Sequence, residues 1–106
     1  MATADIALAS AQGRGVHGGT LPVIDSAMVD HDVITLSGTS QQSDFSVPAG
    51  SAGLIWRVTA IDGAMRVKFG ANPTATAAED GGWYVASGST CDFVAVAGDK
   101  AAVISA

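Results

Sequence analysis

Asp30, His31 and Asp32 put two carboxylates and an imidazole in consecutive positions, the donor types a metal ion would take. In a strand, successive side chains leave by opposite faces. His31 would then point away from both acids, and the three converge only in a turn. Zinc asks for a closed set of three or four ligands. The second histidine, His17, falls in a glycine-rich stretch that cannot hold it in place. The tripeptide is read as polar residues ahead of a strand, and no metal is expected.

Nucleophilic catalysis has no better support. Serines are plentiful, and His31 with an aspartate supplies the residue types of a triad, but a triad is defined by geometry rather than composition. The chain has no Gly-x-Ser-x-Gly elbow. Cys91 is the lone cysteine and sits among apolar strand residues, which suits a small buried hydrophobe. An internal disulfide is impossible. Glu79 and Asp80 are adjacent and read as a solvated acidic turn. The glycine run Gly13–Gly19 lacks the Gly-Lys-Ser/Thr ending of a phosphate loop and the strand-loop-helix setting that such a loop needs. No catalytic residue and no cofactor are expected, and the chain is read as non-enzymatic.

Two binding chemistries remain. Arg66 and Lys68 share one strand face by period-2 spacing and make a small basic pair, read as a solvated face. Trp56, Trp83 and Tyr84 are the residue types of a sugar-stacking platform. Trp56, however, lies in a core pattern, and Trp83 and Tyr84 leave opposite faces of one strand. An aromatic side chain at a subunit contact is the favoured reading, because aromatics are enriched there.

The composition restricts the elements that carry these residues. Charged residues make up 14% of the chain, against about 25% in an ordinary domain. The 48% apolar share comes largely from alanine and valine. Thirteen glycines, with many serines and threonines, favour turns and strands over helices. The net charge of −5 excludes a nucleic-acid backbone as the partner, since that needs clustered cations. No run approaches the ~18 apolar residues of a membrane-spanning helix, and the N-terminus does not read as a signal peptide. The 106 residues suffice for one domain and one modest core.

Residues 1–20 are read as a flexible N-terminal arm, Ala-rich and then Gly-rich, and residues 21–106 as a single β domain. Leu21–Val29 is expected to hold an edge strand, because Pro22 cannot donate to a ladder. Leu54–Ile61 is the clearest strand. Leu54, Trp56, Val58 and Ala60 share one face; Ile55, Arg57, Thr59 and Ile61 share the other. Asp62-Gly63 then signals a tight turn, and Met65–Phe69 is expected to return beside the first strand as a hairpin, with Met65, Val67 and Phe69 inward. Gly70–Gly82 is left as a loop or irregular excursion. Cys91, Phe93 and Ala95 alternate with Val94 and Val96; apolar faces on both sides predict a central strand. Lys100–Ala106 is expected to close the chain. About seven or eight short strands fit an all-β antiparallel sandwich or a jelly-roll-like barrel. Its core should hold Trp56, Val58, Val67, Phe69 and Phe93.

The stretch from Phe45 to Ala106 resembles small virion structural proteins of tailed bacteriophages and prophages. The resemblance rests on "VKFGANPTAT" at Val67–Thr76, the pair Trp83-Tyr84, the turn at Gly88, and "DFVAVAGDKAAVI" at Asp92–Ile104. The matching positions are Phe69, Gly70, Asn72, Pro73, Thr74 and Thr76, then Phe93, Gly98, Asp99, Val103 and Ile104, most of them turn or core residues. The resemblance implies a β-sandwich or jelly-roll-like subunit that decorates or cements a capsid or accessory structure. It implies a homo-oligomer, a trimer first, located in the virion after assembly in the bacterial host cytoplasm. Its partners would be capsid or other virion proteins, with no nucleic acid and no membrane. Tyr84, Thr74, Thr76, Arg66, Lys68 and Arg14 are the candidate interface residues. A carbohydrate-binding or receptor-binding β-sandwich module is the alternative.

Overall fold

The computed structural model describes residues 2–10, 13–14, 20–21, 28–49, 53–78 and 81–106, with 13–14 and 20–21 by backbone alone. The described strands are β1 (Thr3–Ser10), β2 (Gly13–Arg14), β3 (Thr20–Leu21), β4 (Met28–Thr35), β5 (Gln41–Gln42), β6 (Leu54–Ile61), β7 (Met65–Gly70), β8 (Trp83–Val85), β9 (Thr90–Val94) and β10 (Lys100–Ser105). They form two four-stranded sheets, ordered β4-β1-β6-β9 and β5-β10-β7-β8, and a small β2–β3 pair. All pairings are antiparallel. The fold is all-β, as the alternation and turn signals predict.

The pairing is nested. β4 pairs β1, β5 pairs β10, β6 pairs β9, and β7 pairs β8. This is the wiring of an eight-stranded jelly roll, in which first pairs last, second pairs seventh, and so inward. Here β4 is the first strand and β10 the seventh. The eighth slot, between β4 and β6, is filled by β1 from the N-terminal side.

That placement corrects the expected arm. Residues 3–10 form a strand hydrogen-bonded on both sides, with Ala4, Ile6 and Leu8 wholly buried. Alanine favours helices in isolation, but two ladders and a buried face override that weak preference. Of the rest of the expected arm, Gly13-Arg14 pairs with Thr20-Leu21, and residues 11–12 and 15–19 lie outside the described residues. Of the expected strand Leu21–Val29, Met28 and Val29 begin the edge strand β4, and residues 22–27 lie outside the described residues.

The expected hairpin at Asp62-Gly63 is also corrected. β6 pairs β1 and β9, whereas β7 pairs β10 and β8. The turn, with Asp62 at φ 59°, carries the chain from one sheet to the other. Each strand sends its apolar face into the same core from opposite sides, so the period-2 pattern of a hairpin and of this arch is identical.

Trp56 is the largest fully buried side chain. Its ring lies 5.4 Å from Phe45 and 5.5 Å from Phe69. Its indole N–H has no acceptor among the described residues. An unmet N–H costs about 1–3 kcal/mol. Burying about 200 Å² of ring gains about 5 kcal/mol, so the ring is stable there. Val58 and Val67 are also wholly buried, and Phe69 and Phe93 are half-buried against the same cluster.

The strand expected to be central is corrected. β9 is an edge strand, with Val94 and Val96 exposed. β10 is internal, and Ala101, Ala102, Val103 and Ile104 are all buried. The outer face of β10 is covered by the chain that follows β7, which packs Ala75 on Ala102 and Ile104. Apolar residues on both faces of a strand identify a covered strand only if something covers both faces; β10 has that cover and β9 does not.

Candidate functional site

Among the described residues, two concave surfaces and the outer face of one sheet are suited to recognition. The first surface is an aromatic cleft at the β8–β9 side. Phe69 and Phe93 are 5.0 Å apart between ring centroids, and Trp83 lies 6.0 Å from Phe93. With the Phe45–Trp56–Phe69 contacts, this makes one aromatic chain running from the core to solvent. The cleft, about 430 Å³, is lined by Lys68, Phe69, Gly82 and Trp83. Gly82 has φ 142°, and a Cβ there would lie 2.6 Å from the Val67 carbonyl oxygen. Glycine is therefore required where the chain enters β8.

Tyr84 leaves the opposite face of β8. It sits directly across from Arg66, whose guanidinium lies 5.5 Å from the tyrosine ring centroid. Arg66 Nη1 donates to the Gly82 carbonyl at 3.1 Å. Arg66 is thus engaged with Gly82 and Tyr84. Lys68 is exposed and lines the aromatic cleft.

The second surface is a groove of about 780 Å³ over the outer face of β10, whose lining includes Thr39, Ser40, Gln42, Thr74, Thr76 and Ile104. It is neutral and rich in hydroxyl and amide groups. Its wall is tied by side chains: Gln42 Nε2 donates to Asn72 Oδ1 at 2.8 Å and to the Pro73 carbonyl at 2.9 Å. Ser40 Oγ accepts the Ala75 N–H at 3.0 Å. The candidate interface residues therefore divide between surfaces: Thr74 and Thr76 belong to this groove, and Tyr84, Arg66 and Lys68 to the β7–β8 side. The backbone of Arg14 pairs in β2; its side chain lies outside the described residues.

The third feature is the outer face of the β4-β1-β6-β9 sheet. Arg57 holds Asp92 bidentately, Nε to Oδ1 at 2.8 Å and Nη2 to Oδ2 at 2.9 Å. This hydrogen bonding holds the Asp92 carboxyl below the usual aspartate range and raises Arg57. Thr59 and Thr90 share a hydroxyl contact of 2.8 Å. His31 Nε2 meets Asp5 Oδ1 at 2.6 Å.

Asp30, His31 and Asp32 do not converge. Asp30 Oδ1 accepts the backbone N–H of His31, and Asp32 Oδ2 accepts the backbone N–H of Asp44. No three His, Cys, Asp or Glu side chains are grouped to hold a metal among the described residues. His17, Glu79 and Asp80 lie outside the described residues. Cys91 is half-buried against the core cluster.

Val94 and Val96 are the surface residues that the sequence pattern misplaces. They are 80% and 57% exposed, beside Trp83 at 66% and Tyr84 at 56%. Val94 lies on an edge strand and Val96 just beyond it, a placement that depends on the sheet order, which alternation along one strand does not encode. Comparison of the chain with protein-family models, with curated proteins and with solved structures finds no match.

Proposed function

We propose that this protein is a non-enzymatic structural subunit that works by self-association, in the manner of a virion decoration or accessory protein. The observation that carries the reading is a set of large exposed apolar side chains at the β8–β9 end, Trp83, Tyr84, Val94 and Val96; a second set, Met28, Val29, Val33 and Ile61, lies on β4 and β6. Single exposed apolar residues need no explanation, but a group on one side of a small domain marks an interaction surface. Aromatic residues among them suit a protein contact. The virion assignment rests on the resemblance of Phe45–Ala106 and on the jelly-roll wiring, which recurs in viral capsid domains. The partners are further copies of the chain and capsid or other virion proteins, and the location is the virion. Light scattering on the purified chain tests the self-association. A defined oligomer is the expected result, and a monomer at every concentration overturns it.

A second reading is favoured by the aromatic cleft. Trp83 presents an exposed indole beside Phe69 and Lys68, and jelly rolls also serve as lectin domains. A carbohydrate or receptor glycan stacked on Trp83 would change its fluorescence on titration. Saturable change abolished by Trp83→Ala would move the assignment to a glycan-binding module.

A further inference from the structure

We infer that β9 is the self-pairing edge of the subunit, and that two copies join β9 to β9 about a two-fold axis at Phe93 into one continuous eight-stranded sheet. This rests on the self-association reading above and names its surface and partner, a second copy of this chain.

An edge strand exposes unpaired main-chain groups, and proteins usually blunt such edges. Of the four edges of the two four-stranded sheets, β4 is blunted by charge and β5 and β8 by shortness. β4 carries Asp30, His31 and Asp32; β5 has two residues and β8 three. β9 has five residues, no lysine and no proline. Its one charge, Asp92, is already neutralised by Arg57. Five residues span about 17 Å of free ladder.

The main chain of β9 is in phase for this joint. Ala95 N–H donates to the Leu54 carbonyl at 3.1 Å, and the Ser89 carbonyl accepts the Ala60 N–H at 3.1 Å. Odd-numbered residues therefore bond β6, and antiparallel alternation turns the N–H and C=O groups of Thr90, Asp92 and Val94 to the free side.

Side-chain chemistry selects the register. A two-fold axis at Asp92 would set two carboxylates directly opposite, which is unfavourable. An axis at Cys91 would leave Val94 opposite Gly88, in a turn. An axis at Phe93 sets Asp92 opposite Val94 of the second copy, Cys91 opposite Ala95, and Thr90 opposite Val96. The Val96 carbonyl stays on the Asp99 N–H, so the new ladder runs over Asp92 and Val94, and both exposed valines are covered. It also brings the Trp83 ring of each copy, tilted against its own Phe93, towards the axis. A joint this short is smaller than a typical stable interface, so the isolated dimer dissociates on dilution and becomes firm where other contacts add to it. The resulting symmetry is two-fold, in place of the trimer that the resemblance implies.

The test is light scattering over a concentration series for the wild type, Val94→Asp and Val29→Asp, with folding checked by circular dichroism. Val94 is 80% exposed, so its substitution leaves the monomer folded while setting a carboxylate opposite Asp92 of the second copy. The expected result is a monomer–dimer equilibrium in the wild type and in Val29→Asp, weakened at least about tenfold in Val94→Asp. A wild type that associates equally well with Val94→Asp overturns the β9 joint and leaves the self-association reading standing. A wild type that stays monomeric overturns both. The register is read by Ala95→Cys treated with diamide: the new thiol faces Cys91 of the second copy at a close, non-hydrogen-bonded pair, within reach of a disulfide. A covalent dimer forms in Ala95→Cys and not in the wild type; an associating Ala95→Cys protein that does not cross-link overturns the Phe93 axis.

Discussion

Trp83 and Phe93 meet 6.0 Å apart between ring centroids, although one belongs to β8 in one sheet and the other to β9 in the opposite sheet. The contact closes the lateral end of the sandwich, and the two rings differ in what they contribute. Phe93 is half-buried against Phe69 and the core, whereas Trp83 is two-thirds exposed. Phe93→Ala is expected to cost about 2–3 kcal/mol, below the 3–5 of a fully buried phenylalanine. Trp83→Ala is expected to cost about 1 kcal/mol or less, since little area is lost from the core. Urea unfolding of the two variants measures both; equal losses would show that Trp83 closes the core rather than lining its mouth.

Trp56 sits deeper in the same aromatic chain, between Phe45 and Phe69. Trp56→Ala is expected to destabilise the fold by about 3–5 kcal/mol, because the cavity lies between Phe45 and Phe69 and two sheets limit its collapse. Trp56→Phe removes the unmet N–H while keeping a ring, and should cost clearly less. Denaturant midpoints decide between them: a loss below about 1 kcal/mol for the alanine variant would contradict the burial.

Which face is inside was legible along β6 and β7, and which strands are neighbours was not. Leu54, Trp56, Val58 and Ala60 alternate with polar or half-exposed residues, and that pattern alone places them in the core. Asp62-Gly63 announces a reversal, but reversal within a sheet and reversal between sheets give the same alternation. The choice is made by β1 and β9, which occupy both sides of β6, and those partners lie far away in sequence. β1 was hidden by its alanines, whose preference is weaker than two ladders. The pairing of Arg66 with Tyr84 likewise depends on the β7–β8 register. The exposed Val94 and Val96 needed the sheet order, so the surface was the least legible part of the molecule.

Arg57 and Asp92 provide a pH-dependent test. Both side chains are nearly half exposed, so the pair contributes only about 0.2–1 kcal/mol, less in high salt. The native Asp92 pKa is lowered, first by the Arg57 hydrogen bond. The contribution is therefore full above the ordinary aspartate value of 3.8 and fades as pH falls through the lower native value. Asp92→Asn should lower stability slightly at pH 7 and converge with the wild type in acid. A difference that grows as pH falls below 3.8 would reverse the assigned sign.

Gly82 fixes the entry to β8. An alanine there would hold φ at 142° and bring its Cβ to 2.6 Å from the Val67 oxygen, a backbone atom with no freedom to swing aside. Gly82→Ala is expected to cost about 1–3 kcal/mol in strain. Gly88→Ala provides the comparison: φ is also positive, at 80°, but no atom lies within 4 Å of the added Cβ. It should cost about 1 kcal/mol. Equal losses in thermal unfolding would show that the close approach to Val67 contributes nothing.

β1 is the strand on which the whole roll depends. It bonds β4 on one side and β6 on the other, and it supplies Ala4, Ile6 and Leu8 to the core. Deleting residues 2–10 strips a ladder from both neighbours and opens the cluster around Trp56, so the truncated chain is expected to lose its cooperative unfolding transition. The same wiring predicts that β1 can be delivered from the other end. Ala2 accepts a hydrogen bond from Leu36, and Ser105 donates to the next residue, Ser37. A circular permutant that begins at Met28 and runs through Ala106 into a short linker and residues 2–10 restores the unbroken order of a jelly roll. It should fold with near-native circular dichroism and a cooperative transition. If the truncation stays folded, β1 is dispensable; if the permutant fails while the native order folds, the chain from 11 to 27 does more than connect β1 to β4.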